Sequence, residues 1–286
     1  MYNLKCGLSR PCFGYEKEDG LKYREEFFTN LKKMKDAGIE AIEMDMNGVY
    51  TDDGHIKSHD MVKRPLDAIM ESGLILNSIH LPFGWRRDFS TSDRVDAQLM
   101  IDQTLKTFSI IDEYKPKAYV MHGACEPIFD KNRIGVTERM IDSLNQLVRG
   151  TKNFVCLENL PRTCVPNTST EMLYILSQVP GLKSVCDVNH NLKEYSEDYI
   201  RKVGGDYIKT LHISDFDYRD ERHLLPKDKS HQFKGVIDWN KVIGALEDIG
   251  YDGVFMYELS MDGYGYTFDD VRRNFDMLFE EYNKQK

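Results

Sequence analysis

The chain has 286 residues, with 38 Lys and Arg against 47 Asp and Glu, so its formal net charge is -9. This charge favours solubility and gives no overall attraction to nucleic acid or to an anionic membrane. No run approaches the roughly 18 consecutive apolar residues of a membrane span, and the N-terminal segment is typical of a strand rather than of a secretory signal. We therefore expect a cytoplasmic protein with no membrane partner.

Short apolar runs typical of buried parallel strands alternate along the chain with longer amphipathic segments. The eight runs predicted as strands are Leu4 to Ser9, Ala41 to Met46, Leu74 to His80, Ala118 to His122, Phe154 to Glu158, Ser184 to Asp187, Tyr207 to His212 and Gly253 to Glu258. Predicted helices include Glu25 to Ala37, Asp93 to Tyr114, Arg133 to Val148 and Phe268 to Tyr282. Ser92 and Asp238 are the expected N-caps of the helices that follow them.

No linker or low-complexity tract divides these alternating units. Eight strand-helix units in one chain are typical of a barrel in which helices surround a closed parallel sheet. We therefore predict an α/β fold, a (β/α)8 TIM barrel, with a single domain over residues 1–286.

Six consecutive predicted strands end in a side chain that can bind a metal ion. These residues are His80, His122, Glu158, Asp187, His212 and Glu258. In a barrel of this type the carboxyl ends of the strands converge on one mouth, so the six side chains are expected to meet in one pocket. Glu158 and Glu258 follow apolar runs directly, and a buried carboxylate needs a cation or hydrogen-bond donors.

Four of these residues are predicted to form a metal site: Glu158, Asp187, His212 and Glu258. Three carboxylates and one imidazole suit a divalent ion such as Mn²⁺, Co²⁺, Mg²⁺ or Zn²⁺. Such an ion would chelate neighbouring oxygens of a sugar and stabilise the enediolate that forms when a proton leaves. Glu158 and Glu258 are the expected catalytic acid/base pair. His190 is expected to contact a substrate oxygen or a second metal ion.

This set resembles the metal and catalytic residues of the xylose isomerase-like TIM-barrel superfamily, which includes sugar isomerases, ketose 3-epimerases and apurinic-site endonucleases. Three segments are similar to motifs of that superfamily: Ile79-His80-Leu81-Pro82, Leu157-Glu158-Asn159 and Val236-Ile237-Asp238-Trp239. The resemblance covers nearly the whole chain. It implies a metal-dependent isomerase or epimerase whose partner is a small carbohydrate, either a sugar or a sugar phosphate.

Further residues are expected to contact that substrate. His80, His122 and His190 lie at the predicted mouth, and Trp85 follows His80 in a loop, where its ring could stack on an apolar face of the sugar. The resemblance to ketose epimerases implies that Arg219 holds a substrate hydroxyl.

The endonuclease branch of the superfamily is the main alternative. Its members hold three zinc ions with nine residues, and the counterparts here are His80, His122, Glu158, Asp187, His190, His212, Glu221, His223 and Glu258. The additional ligands would then be His80, His122, His190, Glu221 and His223, and the metal would be zinc. Glu221 departs from the pattern, because that branch has an aspartate there. Such a site would cleave a phosphodiester at abasic DNA.

Other features favour the sugar enzyme. Gly123-Ala124 follows His122 where the endonucleases carry a proline and a glycine, and Leu160-Pro161-Arg162 replaces their small loop. Acidic residues interleave with Lys and Arg in the loops at the mouth, which disfavours a nucleic-acid partner. A barrel that binds a sugar without catalysis is a third hypothesis. Three alternatives stay open: which sugar is bound, whether it is isomerised or epimerised, and whether the chain forms a homo-oligomer.

Overall fold

The computed structural model describes residues 1–9, 25–51, 55–84, 87–217, 221–230 and 235–286. Eight parallel strands form its centre: β1 Lys5–Ser9, β2 Ala41–Asp45, β3 Ile75–His80, β4 Ala118–Met121, β5 Phe154–Glu158, β6 Lys183–Asp187, β7 Ile208–His212 and β8 Val254–Glu258. The strands neighbour one another in the order β7-β6-β5-β4-β3-β2-β1-β8.

The two ends of this sheet meet directly after β7. Ile213 forms a parallel bridge with Tyr257 of β8. The backbone N–H of Ile213 donates to the carbonyl of Met256 at 2.8 Å, and the N–H of Glu258 donates to the carbonyl of Ile213 at 3.0 Å. These bonds close the sheet into a barrel, which confirms the predicted TIM-barrel fold.

The helices follow the strands around the barrel: α1 Glu25–Asp36, α2 His59–Ser72, α3 Arg94–Ile111, α4 Arg133–Arg149, α5 Ser169–Gln178, α6 Ser196–Val203, α7 Trp239–Asp248, α8 Met261–Tyr264 and α9 Phe268–Lys284. A 3-10 turn at Asp112–Tyr114 completes the predicted helix that contains α3. Among the described residues, no helix is both long enough and apolar enough to cross a membrane.

The predicted N-cap at Asp238 is confirmed, because its side chain accepts from the N–H of Lys241. The prediction of Ser92 as the cap of α3 is wrong. Asp93 takes that position, and its carboxylate accepts from the N–H groups of Val95 and Asp96. A carboxylate one residue closer to the helix satisfies two free N–H groups and also interacts favourably with the helix dipole.

Alternation along the strands decides which side chains enter the barrel. Successive residues of a strand point to opposite faces, so residues two apart share a face. In β5, Cys156 belongs to a small buried cluster with Ala118, Val120 and Val185, separate from the main core that packs on the helices. Glu158 follows Cys156 by two residues and therefore faces the interior above this apolar layer.

The loop after β5 is anchored by Arg133 at the start of α4. Its guanidinium donates to the carbonyls of Thr163 at 2.9 Å and Cys164 at 2.7 Å, and to the carboxylate of Glu171. The carboxylate of Glu171 also accepts from the N–H of Asn167 at 3.0 Å. Burial opposes ionisation of Glu171, but these hydrogen bonds outweigh it and lower its pKa. The loop is therefore held in its middle and just before α5.

The loop after β7 is organised by Asp215, which is buried. Its carboxylate accepts from the N–H groups of Val236 at 2.8 Å and Ile237 at 3.1 Å, and from Nε1 of Trp239 at 2.8 Å. A Cβ atom at Gly235 would lie 2.1 Å from Cγ of Asp215, so this position must lack a side chain. The carboxylate thus fixes the chain that leads into α7 to the end of β7.

Replacing Asp215 by Asn should destabilise the protein by about 3 kcal/mol, because an amide nitrogen of nearly the same shape would face buried N–H donors. Urea denaturation of Asp215→Asn measures this loss of unfolding free energy. The exposed Asp206→Ala variant is the control and should change it by less than about 0.5 kcal/mol. Equal stability of Asp215→Asn and the wild type would refute the role given to this carboxylate.

Glu171→Gln should lower the free energy of unfolding by about 2 kcal/mol at neutral pH, because it weakens charged hydrogen bonds to Arg133. The pKa of Glu171 is lower in the folded chain than its ordinary value of 4.5. Its stabilisation is therefore complete above that value and is lost as the pH falls through the folded-state pKa. Denaturation curves at a series of pH values should show the difference between wild type and variant shrinking below 4.5. A difference independent of pH would contradict this assignment.

Candidate active site

His212, the last residue of β7, lies at the centre of a group of carboxylates. Its Nδ1 atom is 3.1 Å from Oε1 of Glu158 and 3.1 Å from Oε2 of Glu258. The same atom is 4.0 Å from Oδ2 of Asp187. One ligand atom from each of these four residues lies within 4.8 Å of the others, and all four residues are buried. The structure therefore brings together the four side chains that the sequence predicts as metal ligands.

The strands place these side chains by register. Asp187 and His212 are directly paired partners in β6 and β7. The amide of Asn159, just after β5, clamps the backbone of Asp187: its Nδ2 donates to the carbonyl and its Oδ1 accepts from the N–H, both at 2.8 Å. The positions of the ligand side chains thus follow from backbone pairing and from one buried amide.

Two carboxylate oxygens of this group support a cation site. Oε2 of Glu158 and Oδ2 of Asp187 are buried without a well-aligned hydrogen bond from the part of the chain that the structure describes, and the imidazoles of His122, at 3.3 Å, and His190, at 3.1 Å, lie beside them. A buried carboxylate oxygen is costly unless a donor or a cation compensates it. The oxygen-rich set with one imidazole fits a divalent metal ion.

The charges of this group affect one another because the side chains are buried and close together. Burial opposes ionisation of Glu158, but the imidazoles of His212 and His122 outweigh burial and hold its pKa well below the usual range. Burial raises the pKa of Asp187 to about 7. Burial disfavours the charged form of His190, but the carboxylate of Asp187 raises its pKa to about 9. Protons held in this cluster would compete with a metal ion for the same atoms.

The predicted histidines at the end of β3 and just after β4 lie beside Glu158. Oε2 of Glu158 is 3.4 Å from Nε2 of His80 and 3.3 Å from Nε2 of His122. His80 also forms a group of potential metal ligands with Glu158 and His212. The ring of Phe83 stacks on His122 with ring centroids 4.4 Å apart. On the other side, Nδ1 of His190 is 3.1 Å from Oδ2 of Asp187.

A cavity of about 360 Å³ opens above these residues. Glu158, Glu258, His122, His190 and His223 are among the polar side chains that line it. Phe83, Ala124, Leu160 and Pro161 supply apolar lining. The size and the mixed lining are typical of a site for a small polar molecule.

The rim of this cavity carries a bridge of charged residues from three loops. Arg162 pairs with Glu126, and its Nη1 atom donates to Glu221. The side chain of Arg162 is 48% exposed, whereas that of Glu158 is 1% exposed, so the bridge lies nearer the solvent than the cluster. Arg162 and His223 both have positive φ angles, 51° and 48°, which are strained for residues other than glycine.

Of the four remaining predicted site residues, Glu221 and His223 line the cavity. Glu221 is part of the rim bridge, and Nδ1 of His223 lies 3.2 Å from the carbonyl of Glu258. Trp85 and Arg219, both predicted to bind substrate, lie outside the described residues.

Sequence reasoning missed Glu43, which is fully buried in β2 and lies 3.0 Å from Nε2 of His212. The signal was present, because Ala41-Ile42-Glu43-Met44 places a carboxylate inside an apolar strand. Glu158 and Glu258 carry the same signal, a carboxylate that follows apolar residues. Glu43 differs because it lies inside β2, whereas the predicted ligands lie at the ends of their strands.

Comparison with known proteins agrees with this architecture. The sequence profile of the xylose isomerase-like TIM barrel family matches residues 31–280. An uncharacterised protein of Methanocaldococcus jannaschii is 28% identical over 170 residues, which is 57% of this chain. The chain spans 59% of the length of that relative.

Solved structures of two sugar epimerases are similar over nearly their full length. One is D-psicose 3-epimerase in the presence of D-fructose, with a TM-score of 0.71, 17% identity and coverage of 97% of each chain. The other is 3-keto-D-glucoside 4-epimerase from E. coli, with a TM-score of 0.72, 18% identity and coverage of 97% of this chain and 100% of the epimerase. At these identities the similarity establishes the fold alone.

Proposed function

Because the chain belongs to the xylose isomerase-like TIM barrel family, we propose that it is a metal-dependent sugar isomerase or epimerase. The observation that carries this proposal is the buried cluster of Glu158, Asp187, His212 and Glu258 at the floor of a cavity of about 360 Å³. The two structural neighbours described above are sugar epimerases by name, which agrees with the proposal.

In this proposal the four clustered side chains hold one divalent ion, Mn²⁺, Co²⁺, Mg²⁺ or Zn²⁺. When bound there, the ion supplies Lewis acidity that polarises a sugar carbonyl and lowers the cost of charge on the neighbouring oxygen. Glu158 and Glu258 also line the cavity, so substrate bound above the cluster has both carboxylates within reach.

Glu158 and Glu258 would carry out the proton transfers. One carboxylate removes the proton from the carbon next to the carbonyl, and the electron pair moves onto oxygen to give an enediolate. Return of a proton to the opposite face of the same carbon gives the epimer, and return to the neighbouring carbon gives the isomer. His122 and His190 line the same cavity and would orient the hydroxyl and carbonyl oxygens of the sugar.

The endonuclease alternative has less support at this site. Within the described ranges, both groups of three or more potential metal ligands share Glu158 and His212, and neither contains Glu221 or His223. Glu221 instead pairs with Arg162. Arg162 is also the one Lys or Arg among the described residues that line the cavity, and a DNA site requires several free cations for the phosphates.

The proposal predicts metal-dependent exchange of a sugar carbon-bound proton with solvent. The protein loaded with Mn²⁺ should incorporate deuterium next to the carbonyl of D-fructose, D-psicose or D-tagatose in heavy water, as followed by NMR. Glu158→Gln and Glu258→Gln should each reduce this exchange by at least about 100-fold, because each removes a general acid/base. The exposed Glu138→Gln variant is the matched control and should exchange at the wild-type rate.

Two outcomes would contradict the proposal. Absence of exchange with every sugar in the panel at saturating Mn²⁺ would exclude the proton transfer for those substrates. Three zinc ions per chain by elemental analysis, together with cleavage of an abasic oligonucleotide, would favour the endonuclease instead.

The charge of the cavity makes a prediction about the substrate. With Glu158 and Glu258 on the metal ion, the carboxylates left in the cavity lining are Glu126 and Glu221 at the rim, and Arg162 is already paired with both. A phosphate group that extends to this rim would therefore meet two carboxylates. We expect D-fructose to undergo exchange at least about 10-fold faster than D-fructose 6-phosphate at equal low concentrations, a difference of about 1.4 kcal/mol in transition-state binding. Faster exchange of the phosphate ester would show that cations elsewhere in the loops control specificity.

A further inference from the structure

Glu43 lies inside the barrel, and its carboxylate is held from both sides by neighbouring strands. Oε1 accepts from the hydroxyl of Ser9 at 2.6 Å, and Oε2 accepts from the hydroxyl of Ser78 at 2.6 Å. Ser9 in β1 and Ser78 in β3 are also the register partners of Glu43. Because the backbone pairing and the hydroxyl contacts involve the same residues, the carboxylate has a fixed orientation.

The carboxylate of Glu43 contacts the side of His212 that faces away from the proposed metal ligands. Oε1 of Glu43 is 3.0 Å from Nε2 of His212. The other ring nitrogen, Nδ1, is 3.1 Å from both Glu158 and Glu258. The imidazole therefore lies between the carboxylate of Glu43 on β2 and the two carboxylates of Glu158 and Glu258 on β5 and β8.

Stability alone does not account for a carboxylate at this position. Glu43 is fully buried, and an ionised carboxylate loses its hydration there. A well-packed apolar side chain of similar volume would usually stabilise such a core as well or better. The two serines and His212 compensate the charge of Glu43, but they do not explain why a charge is present.

We propose that Glu43 is a positioning residue that acts through His212 on metal binding. With a metal ion bound, it would accept the Nε2–H of His212, which leaves the lone pair of Nδ1 directed at the ion site between Glu158, Asp187 and Glu258. Its negative charge also raises the basicity of the ring, and a more basic imidazole binds a metal ion more tightly. This inference rests on the proposed metal centre.

Two substitutions separate the effect of charge from that of the hydrogen bond. Glu43→Gln keeps the size and one acceptor oxygen but removes the charge, so the Kd for Mn²⁺ should rise about 10-fold. Glu43→Ala removes both and should raise the Kd up to about 100-fold. Titration calorimetry with Mn²⁺ alone measures these changes without any substrate. Glu40→Gln, at a partly exposed position just before the same strand, is the matched control and should bind Mn²⁺ like the wild type.

A spectroscopic measurement tests the role of Glu43 in orienting the ring. In the protein loaded with Zn²⁺ and labelled with ¹⁵N-histidine, long-range ¹H–¹⁵N correlations identify which nitrogen of His212 carries the proton. We expect Nε2 to be protonated in the wild type, and we expect Glu43→Ala to shift or broaden this resonance. Thermal melting of each variant establishes that it is folded, and Glu43→Gln, which preserves the side-chain volume, provides the test if Glu43→Ala does not fold.

The possible failures are distinguishable. If folded Glu43→Gln and Glu43→Ala bind Mn²⁺ with wild-type affinity and leave the His212 resonances unchanged, Glu43 has a structural role alone and the inference is overturned. If the wild type binds neither Mn²⁺ nor Zn²⁺, the metal centre itself is wrong, and the inference is overturned together with the proposed function.

Discussion

The site depends on one electrostatic constraint, the burial of several carboxylates around a single imidazole. Glu43, Glu158, Asp187 and Glu258 surround His212, and none of the five is more than 6% exposed. Carboxylates so close together repel one another, and each loses hydration on burial. Histidines from neighbouring strands offset part of this cost, and a divalent cation would offset more of it. The arrangement is therefore costly for a purely structural core and well matched to a metal-binding one.

The barrel separates a rigid floor from a rim built on loops. The clustered side chains lie at the ends of hydrogen-bonded strands, where register fixes their positions. The rim consists of loop residues such as Arg162, and its geometry depends on anchors outside the cavity. These include Arg133 of α4, which holds the loop after β5, and Asp215, which holds the loop after β7. Chemistry performed at the floor can thus stay constant while the rim selects the substrate, as is typical of this architecture.

The eight strands and the convergence of Glu158, Asp187, His212 and Glu258 could be predicted because both follow from local patterns. A buried parallel strand is a short apolar run, and the barrel rule converts strand ends into neighbours in space. Other features depend on contacts that no local pattern encodes. The pairing of Arg162 with Glu221 joins loops 59 residues apart, and it exists because the fold brings those loops together. At the start of α3, Ser92 and Asp93 are both good caps by residue type, and backbone geometry chooses between them.

An imidazole that gives its Nδ1 lone pair to a metal ion keeps one N–H, at Nε2, so His212 in the metal-loaded protein would present different groups to the two sets of carboxylates. The hydroxyls of Ser9 and Ser78 hold Glu43 in place, and its oxygen then takes the N–H at Nε2. The lone pair at Nδ1 consequently faces the ligands on β5, β6 and β8. Strands β1 to β3 supply Ser9, Glu43 and Ser78, and strands β5 to β8 supply the four candidate ligands. The orientation of the His212 ring is therefore set by strands that contribute no residue to the four-residue cluster.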